Sequence, residues 1–494
     1  MSFVFGDSFD LYATSADMAT GYWDSSGGTI TGATLVAGRF TGSQALSFAA
    51  TTGITFVKSS AVNDAVHHLV VAFRQTATIT GSTVGAYLEL FDGVTAQCTI
   101  VFRSDGAIVL TSGGPGGTTL ATYTGAFPIT NTWYAFECEI IINNTTGRFR
   151  VRKNGNTVDD FDSGAVLDTQ NSANAYANKL TLGYNATVST QAFDDLFWRS
   201  DASSVPFAGD IRCYTRMPAS DSSVQFSRAP TTNTQTPFTQ QTTSGFTAGT
   251  ARYTPFTAAY DGTIGTATIP ATAGYTGNLK CSLFASSGSA PTTVLGSATP
   301  ITNPATGTNT FTFGSPVTVA KGTQYWIGFD SDTSAGTFGF TTGTPGGTST
   351  TAYASFPVAS PTFTASAAII CSLTITTSTN NCVVNEPQED GLTSYVYDST
   401  AGHADLYTIA TIASTPATTY AVTTRAYMQK SDAGSRTAAV QIKSGGTTVA
   451  SSTLTLTTSG FQWTWRTDTT DPATGSAWAA AAVDAALIGP KTVA

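Results

Sequence analysis

The stretch TTYAVTTRAYMQKSDAGSRTAAVQIKSGGTTVASSTLTLTTSGFQWTWR, residues 418–466, decides how the whole chain is read. Tyr420, Val422, Ala426 and Met428, then Ala438, Val440 and Ile442, then Leu454 and Leu456, recur at a period of two, the pattern of half-buried strands. Between them stand Ser431, Asp432, Ala433 and Gly434, and then Ser444, Gly445 and Gly446, which are turn formers. A meander of this kind builds rigid β-sandwiches whose function lies in loops and sheet faces. The same pattern recurs along most of the chain and predicts an all-β protein.

Composition supports that reading and removes several function classes. At about 150 residues per domain, 494 residues make about three domains. Only 11% of positions are charged, against roughly 25% in ordinary soluble domains, so the residues that usually coat helices are scarce. A net charge of −9 without a Lys/Arg cluster argues against a nucleic-acid partner. No apolar run reaches the 18 or so residues of a membrane helix, so membrane insertion is not expected. Met1 leads directly into Phe3, Val4 and Phe5 without a basic or apolar leader region, so no secretory signal is expected.

Six cysteines in so long a chain do not make a disulfide framework, and no Cys-x-x-Cys spacing points to zinc. Cys98, Cys138, Cys281 and Cys371 alternate in phase with apolar neighbours and are expected to face inward, as buried thiols or, alternatively, as disulfides within or between chains.

Strands are expected at 29–36, 45–48, 66–74, 86–91, 96–103, 107–111, 133–142, 148–153, 179–184 and 193–199. The segments from Gly38 to Phe48, Trp133 with Tyr134, Gly147 to Gly155, and Phe193 to Leu196 resemble a concanavalin A-like or laminin-G-like jelly roll spanning residues 1–203. Residues 236–378, with Ala251 to Phe256, Gly277 to Phe284, Asn309 to Phe313 and Gly322 to Phe329, resemble an accessory carbohydrate-binding-type β-sandwich. Phe207 to Arg212, Met217, Pro218, Gln225 and Phe226, continued by Asn381 to Glu386, Ser394 to Val396, Asp405 to Tyr407 and Asp471 to Trp478, resemble a C-terminal module of tailed-bacteriophage structural proteins. The expected organisation is three sandwiches: 1–203, a discontinuous 204–235 plus 379–494, and 236–378 inserted in a loop of the discontinuous one, since loop tips tolerate insertions. One helix is expected over 477–487, capped by Ser476 and stopped by Gly489 and Pro490, with Trp478, Val483 and Leu487 closing the end of a sandwich.

Phe5-Gly6-Asp7-Ser8 has the look of an esterase nucleophile motif, but that chemistry needs a histidine base. The chain has only His67, His68 and His403, and Asp64-Ala65-Val66-His67 is the one segment with suitable spacing, so a structural turn is the reading adopted at Ser8. Glycanases of jelly-roll type use two carboxylates. Glu137 and Glu139 share one strand face, out of phase with Phe136, Cys138 and Ile140, and are expected on a solvated outer face. Asp194 and Asp195, with Asp7 and Asp10, and separately Asp330 and Asp332, are oxygen donors suited to calcium or simply solvated turns. Trp23, Trp198, Trp463 and Trp465 are candidates for stacking on sugar rings, with core packing the alternative. Asn143 to Thr146 and Asn185 to Thr187 match glycosylation acceptors and, without a leader, carry little weight.

The resemblances together imply a non-enzymatic bacteriophage virion surface protein, a fibre, spike or decoration, that adheres to host-surface glycans. It would be made in the host cytoplasm and carried on the virion as a homo-oligomer against capsid, neck or tail proteins. No catalytic residue, metal or cofactor is assigned, and the binding residues are left open. The alternatives are a decoration or cross-bracing protein without a ligand and a polysaccharide depolymerase.

Overall fold

Alternation becomes strand wherever one face has a core to meet. Gly307–Val319 buries Asn309, Phe311, Phe313, Val317 and Val319 and leaves the residues between them exposed. In the computed structural model, 52% of the chain is strand and 3% helix, and every strand pairing is antiparallel, so the protein is all-β. The structure describes residues 2–494 apart from 21, 29–31, 49–52, 77–80, 186–189, 205, 378, 387–389, 413–415 and 417. The start of the strand expected at 29–36 and part of the acceptor at Asn185 lie outside the described residues.

The chain divides into two compact units, Met1–Ser223 with Glu386–Asp390 and Ser399–Ala494, and Val224–Asn385 with Gly391–Asp398. The first unit begins with a two-layer sandwich. One layer runs Phe161–Asp162, Arg148–Lys153, Tyr134–Ile141, Val66–Gln75, Gln191–Asp201, Gln44–Phe48 and Ala33–Ala37, with Ser2–Asp7 also on Gln191–Asp201. The other runs Thr119–Tyr123, Ile108–Ser112, Thr95–Arg103, Val84–Asp92, Ala177–Tyr184, Ile54–Asp64 and Ser25–Gly27. Leu69, Phe73, Phe136 and Cys138 from the first layer meet Leu88, Cys98, Phe102 and Leu182 from the second in one core. Cys281 and Cys371 enter the core of the second unit, so all four cysteines point inward as read. All six cysteines are free, and burial pushes the thiols of Cys98 and Cys371 up to about 12.

The C-terminal part of the first unit carries a six-stranded sheet and the two-stranded ribbon Val422–Met428 with Gln462–Asp468. The helix expected over 477–487 is shorter, Ala480–Asp484, and begins from Ala479 without a side-chain cap. Leu487–Thr492 is instead a strand between Leu406–Ile409 and Thr437–Ser444. Sheet pairing overrides the alanine-rich helix propensity there, and Gly489 sits where a Cβ would fall 2.0 Å from the carbonyl oxygen of Asp405. Trp478 and Val483 do close this core, with Ile488 beside them rather than Leu487.

The second unit is a further two-layer sandwich. Ser372–Thr377, Gly262–Ala273, Gly307–Val319 and Thr337–Phe340 form most of one sheet. The other runs Pro291–Ser297, Asn278–Ser286, Gln324–Ser331, Thr250–Thr257, Gly346–Thr350 and Thr364–Ser366. The outer face of this second sheet holds a separate apolar group, Ala251, Tyr253, Phe284, Trp326 and Phe356 with Phe363, covered by the chain that returns between Thr351 and Thr364.

Candidate functional site

On that outer face the side chains come in cross-strand rows. Trp326 lies opposite Phe284 on one neighbouring strand and Pro255 on the other. The next row holds Gly328 and Gly347, both opposite Tyr253. The missing side chains are what let rings lie flat here: a Cβ on Gly347 would stand 2.1 Å from the Phe363 ring, and one on Gly328 would stand 2.9 Å from Tyr253 and Phe284. Trp326 and Phe363 meet edge to face at 5.1 Å.

Beside this pair opens a shallow cleft of about 190 Å3. Trp326, Phe363, Pro255 and Pro345 supply its apolar surface, and Gln324, Ser289 and Thr344 its polar rim. Ser286 organises the polar side. Its hydroxyl accepts the Trp326 indole N–H at 3.0 Å and the Gly288 N–H at 2.9 Å, and donates to Gln324 Oε1 at 2.8 Å. The indole is thereby fixed in plane, while the Gln324 N–H2 makes no bond among the described residues. The lining contains no Asp, Glu, His, Cys, Lys or Arg. Trp326 is itself only 3% exposed, so Phe363, Pro255 and Pro345 present the surface on which the apolar face of a ring could rest, with hydroxyls held at the rim, and the lining offers no group for acid-base work.

Of the aromatics singled out in the sequence, Trp23 and Trp198 are fully buried in the first core and unavailable to any ligand. Trp465 is half-buried, with Tyr22 edge-on at 5.7 Å and the Lys58 ammonium 4.7 Å above it. Trp463 lies tilted against Tyr427, the ring centroids 4.8 Å apart. Trp326 stood in the quoted Gly322 to Phe329 segment without being singled out, and Phe363 lies in a Pro/Ser/Thr stretch with no periodicity to mark it.

The expectation for Glu137 and Glu139 is overturned. They do point away from Phe136, Cys138 and Ile140, but they are 3% and 0% exposed, because Ser204 and residues 206–209 lie over this outer face. Glu137 accepts the backbone N–H groups of Ala208 at 2.6 Å and Gly209 at 2.7 Å, one on each oxygen. Glu139 accepts Ser204 Oγ and Arg150 Nε, both at 2.7 Å, and His68 Nε2 lies 3.1 Å away without hydrogen-bond alignment. Arg199 donates to His68 Nδ1 at 3.3 Å and to the Pro206 carbonyl. Phe207 closes the clasp, with the guanidinium groups of Arg152 and Arg150 4.1 and 4.8 Å from its ring. Burial works against the Glu139 carboxylate, but His68 close by and the bonds from Ser204 and Arg150 outweigh it and hold the group down to about 2.

Ser8 Oγ pairs with Thr215 Oγ1 at 2.5 Å. His67 accepts from the Trp198 indole at 3.1 Å and donates to the Asp64 carbonyl at 2.8 Å, and burial pushes it down to about 4. Both of its nitrogens are committed, so it is no base for Ser8. Asp7 accepts Tyr12 Oη, the Trp23 indole and the Phe9 N–H. Asp194 accepts the Arg39 and Asp195 N–H groups, and Asp195 the Cys213 N–H. Burial, then their mutual repulsion, pushes the Asp195 carboxyl up. Asp332 accepts two bonds from Asn278, while Asp330 is fully buried opposite Lys280 and pushed up to about 6 by that burial. Among the described residues no three such side chains are grouped to hold a metal ion.

This architecture is a pair of antiparallel β-sandwich units, and comparison with solved structures returns β-sandwich proteins at low similarity. Domain 4 of the extracellular GH43 arabinanase AbnA from Geobacillus stearothermophilus, in complex with arabinotriose, is 20% identical over 40% of this chain and 92% of that one, with a TM-score of 0.27. The catalytic domain of a glycoside hydrolase family 131 protein from Coprinopsis cinerea is 14% identical over 43% and 98%, with a TM-score of 0.29. The galectin LEC-6 from Caenorhabditis elegans is 15% identical over 31% and 95%, with a TM-score of 0.21. No family model and no curated protein matches the chain. At these scores the likenesses support no inference about site or activity.

Proposed function

We propose that this chain is a bacteriophage virion surface protein, a fibre, spike or decoration, that attaches the particle to host-surface glycans without cleaving them. One observation carries the binding half of the reading: a cleft faced by Phe363, Pro255 and Pro345 over a buried Trp326 and rimmed by Gln324, Ser289 and Thr344, with no titratable side chain on it. The virion half is supported by the sequence resemblance of residues 204–235 and 379–494 to phage structural modules, and belongs to the proposal together with the division into three sandwiches, the virion partners and the homo-oligomer.

A single contact of this size is weak. At about 0.3 kcal/mol per non-hydrogen atom, a hexose of about twelve such atoms gains about 4 kcal/mol, a Kd near 1 mM. Many copies on one particle turn that into firm attachment, since linked binding exceeds single-site affinity by about 10²–10⁴.

Purified protein incubated with host capsule or lipopolysaccharide tests the reading. Retention of the polysaccharide, weakened at least about tenfold by Phe363→Ala, is the expected result. Shortened polysaccharide chains would make the protein a depolymerase. Neither binding nor shortening would leave a decoration or cross-bracing role. Immunogold labelling of intact particles tests the virion assignment.

A further inference from the structure

The charge inventory of the second unit narrows the ligand. Its 170 residues hold four cations, Arg228, Arg252, Lys280 and Lys321, against the whole chain's 22. Four carboxylates, Asp261, Asp330, Asp332 and Asp398, bring the unit to neutrality while the chain as a whole carries −9. None of the eight lines the cleft.

The cations are also tied down elsewhere. Lys280 Nζ donates to the carbonyls of Tyr353 at 2.7 Å and Phe356 at 3.2 Å. Arg228 donates to Thr377, and Lys321 Nζ to Asn385 Oδ1 at 3.3 Å. Arg252 reaches Ser366 Oγ at 3.4 Å, its guanidinium 5.2 Å from the Phe340 ring.

We infer that the cleft takes one neutral hexose ring and discriminates against carboxylated, sulfated or phosphorylated sugars. This rests on the glycan-binding reading above. Recognition of an anionic sugar uses a guanidinium or ammonium partner, and burying its charge here without one is unfavourable. At about 190 Å3 the cleft falls below the roughly 300–1,000 Å3 of pockets that enclose drug-sized ligands, which limits it to about a single ring. The donors that remain, the Gln324 amide and the Ser289 and Thr344 hydroxyls, are neutral and suit sugar hydroxyls.

The test is a glycan microarray carrying neutral and anionic polysaccharides, from both capsules and lipopolysaccharide O-chains, read at about 0.05 and about 0.5 M NaCl. The full chain is compared with Phe363→Ala and with Thr344→Trp, which fills the cleft from an exposed position without emptying a core; circular dichroism checks the fold of each. Signal confined to neutral glycans, unchanged by salt and lowered at least tenfold in both variants, is expected, and the source carrying it identifies the receptor. Signal on anionic glycans that needs Phe363 or falls with salt overturns the neutrality inference and leaves glycan binding standing. Signal on no glycan, or signal indifferent to both variants, overturns the binding reading itself.

Discussion

Replacing Glu139 by Gln keeps the shape of the side chain and removes the charge that Ser204, Arg150 and His68 surround. Breaking a buried ion pair costs about 3–5 kcal/mol, but Arg150 is partly solvated and keeps Asp159 at 3.5 Å, so about 2–3 kcal/mol is expected here. That penalty falls on the clasp, and residues 206–209 should open about 30- to 150-fold more often, read as faster hydrogen exchange at Ala208 and Gly209. The pH dependence has a definite sign. Glu139 is held down to about 2 in the folded chain and returns to about 4.3 when unfolded, so its stabilisation is present above about pH 4.3 and is lost as pH falls toward 2. In Glu139→Gln that segment of the stability profile should flatten. Unchanged exchange at 206–209, together with an acid limb identical to that of the parent between about pH 4.3 and 2, would refute the view that this network fastens the segment.

Two further outcomes follow from packing. Gly347→Ala should push the Phe363 ring off its strand, costing about 1–3 kcal/mol in thermal unfolding and weakening glycan binding in step, because the added Cβ would sit 2.1 Å from the ring. Cys98, Cys138, Cys281 and Cys371 should resist a thiol reagent at about pH 8 in the native protein and all react in denaturant, counted by mass spectrometry, since burial disfavours their thiolates.

Strands with one face on a core were legible from the sequence. Gly307–Val319 shows the alternation residue by residue, and Cys98 and Cys138 face where their neighbours place them, whereas Thr437–Ser444, read as half-buried, is covered on both faces. Ile54–Asp64 escaped notice because its inward Lys58 interrupts the apolar phase; that ammonium is buried against Asp24 at 2.9 Å and the Tyr22 carbonyl at 2.6 Å. Period-two reasoning placed Glu137 and Glu139 on the correct side of their strand and then failed, because it cannot tell an outer face open to water from one covered by a segment about 70 residues later. The helix over 477–487 failed for a related reason: local propensity was outweighed by a sheet whose other strands lie tens of residues away. At the cleft, Gly347 and Phe363 acquire their meaning only from each other, sixteen positions apart and with no shared period.

Glu137 grips its segment by amide protons rather than by side chains. A fastening that reads only the peptide skeleton tolerates most side chains at 208 but not at 209, where a φ of +86° favours glycine. Past residue 209 the hold continues in another chemistry, Arg39 on Asp210, Asp195 on the Cys213 N–H and Ser8 on Thr215, so exchanging the downstream half here would mean replacing those side-chain partners as well.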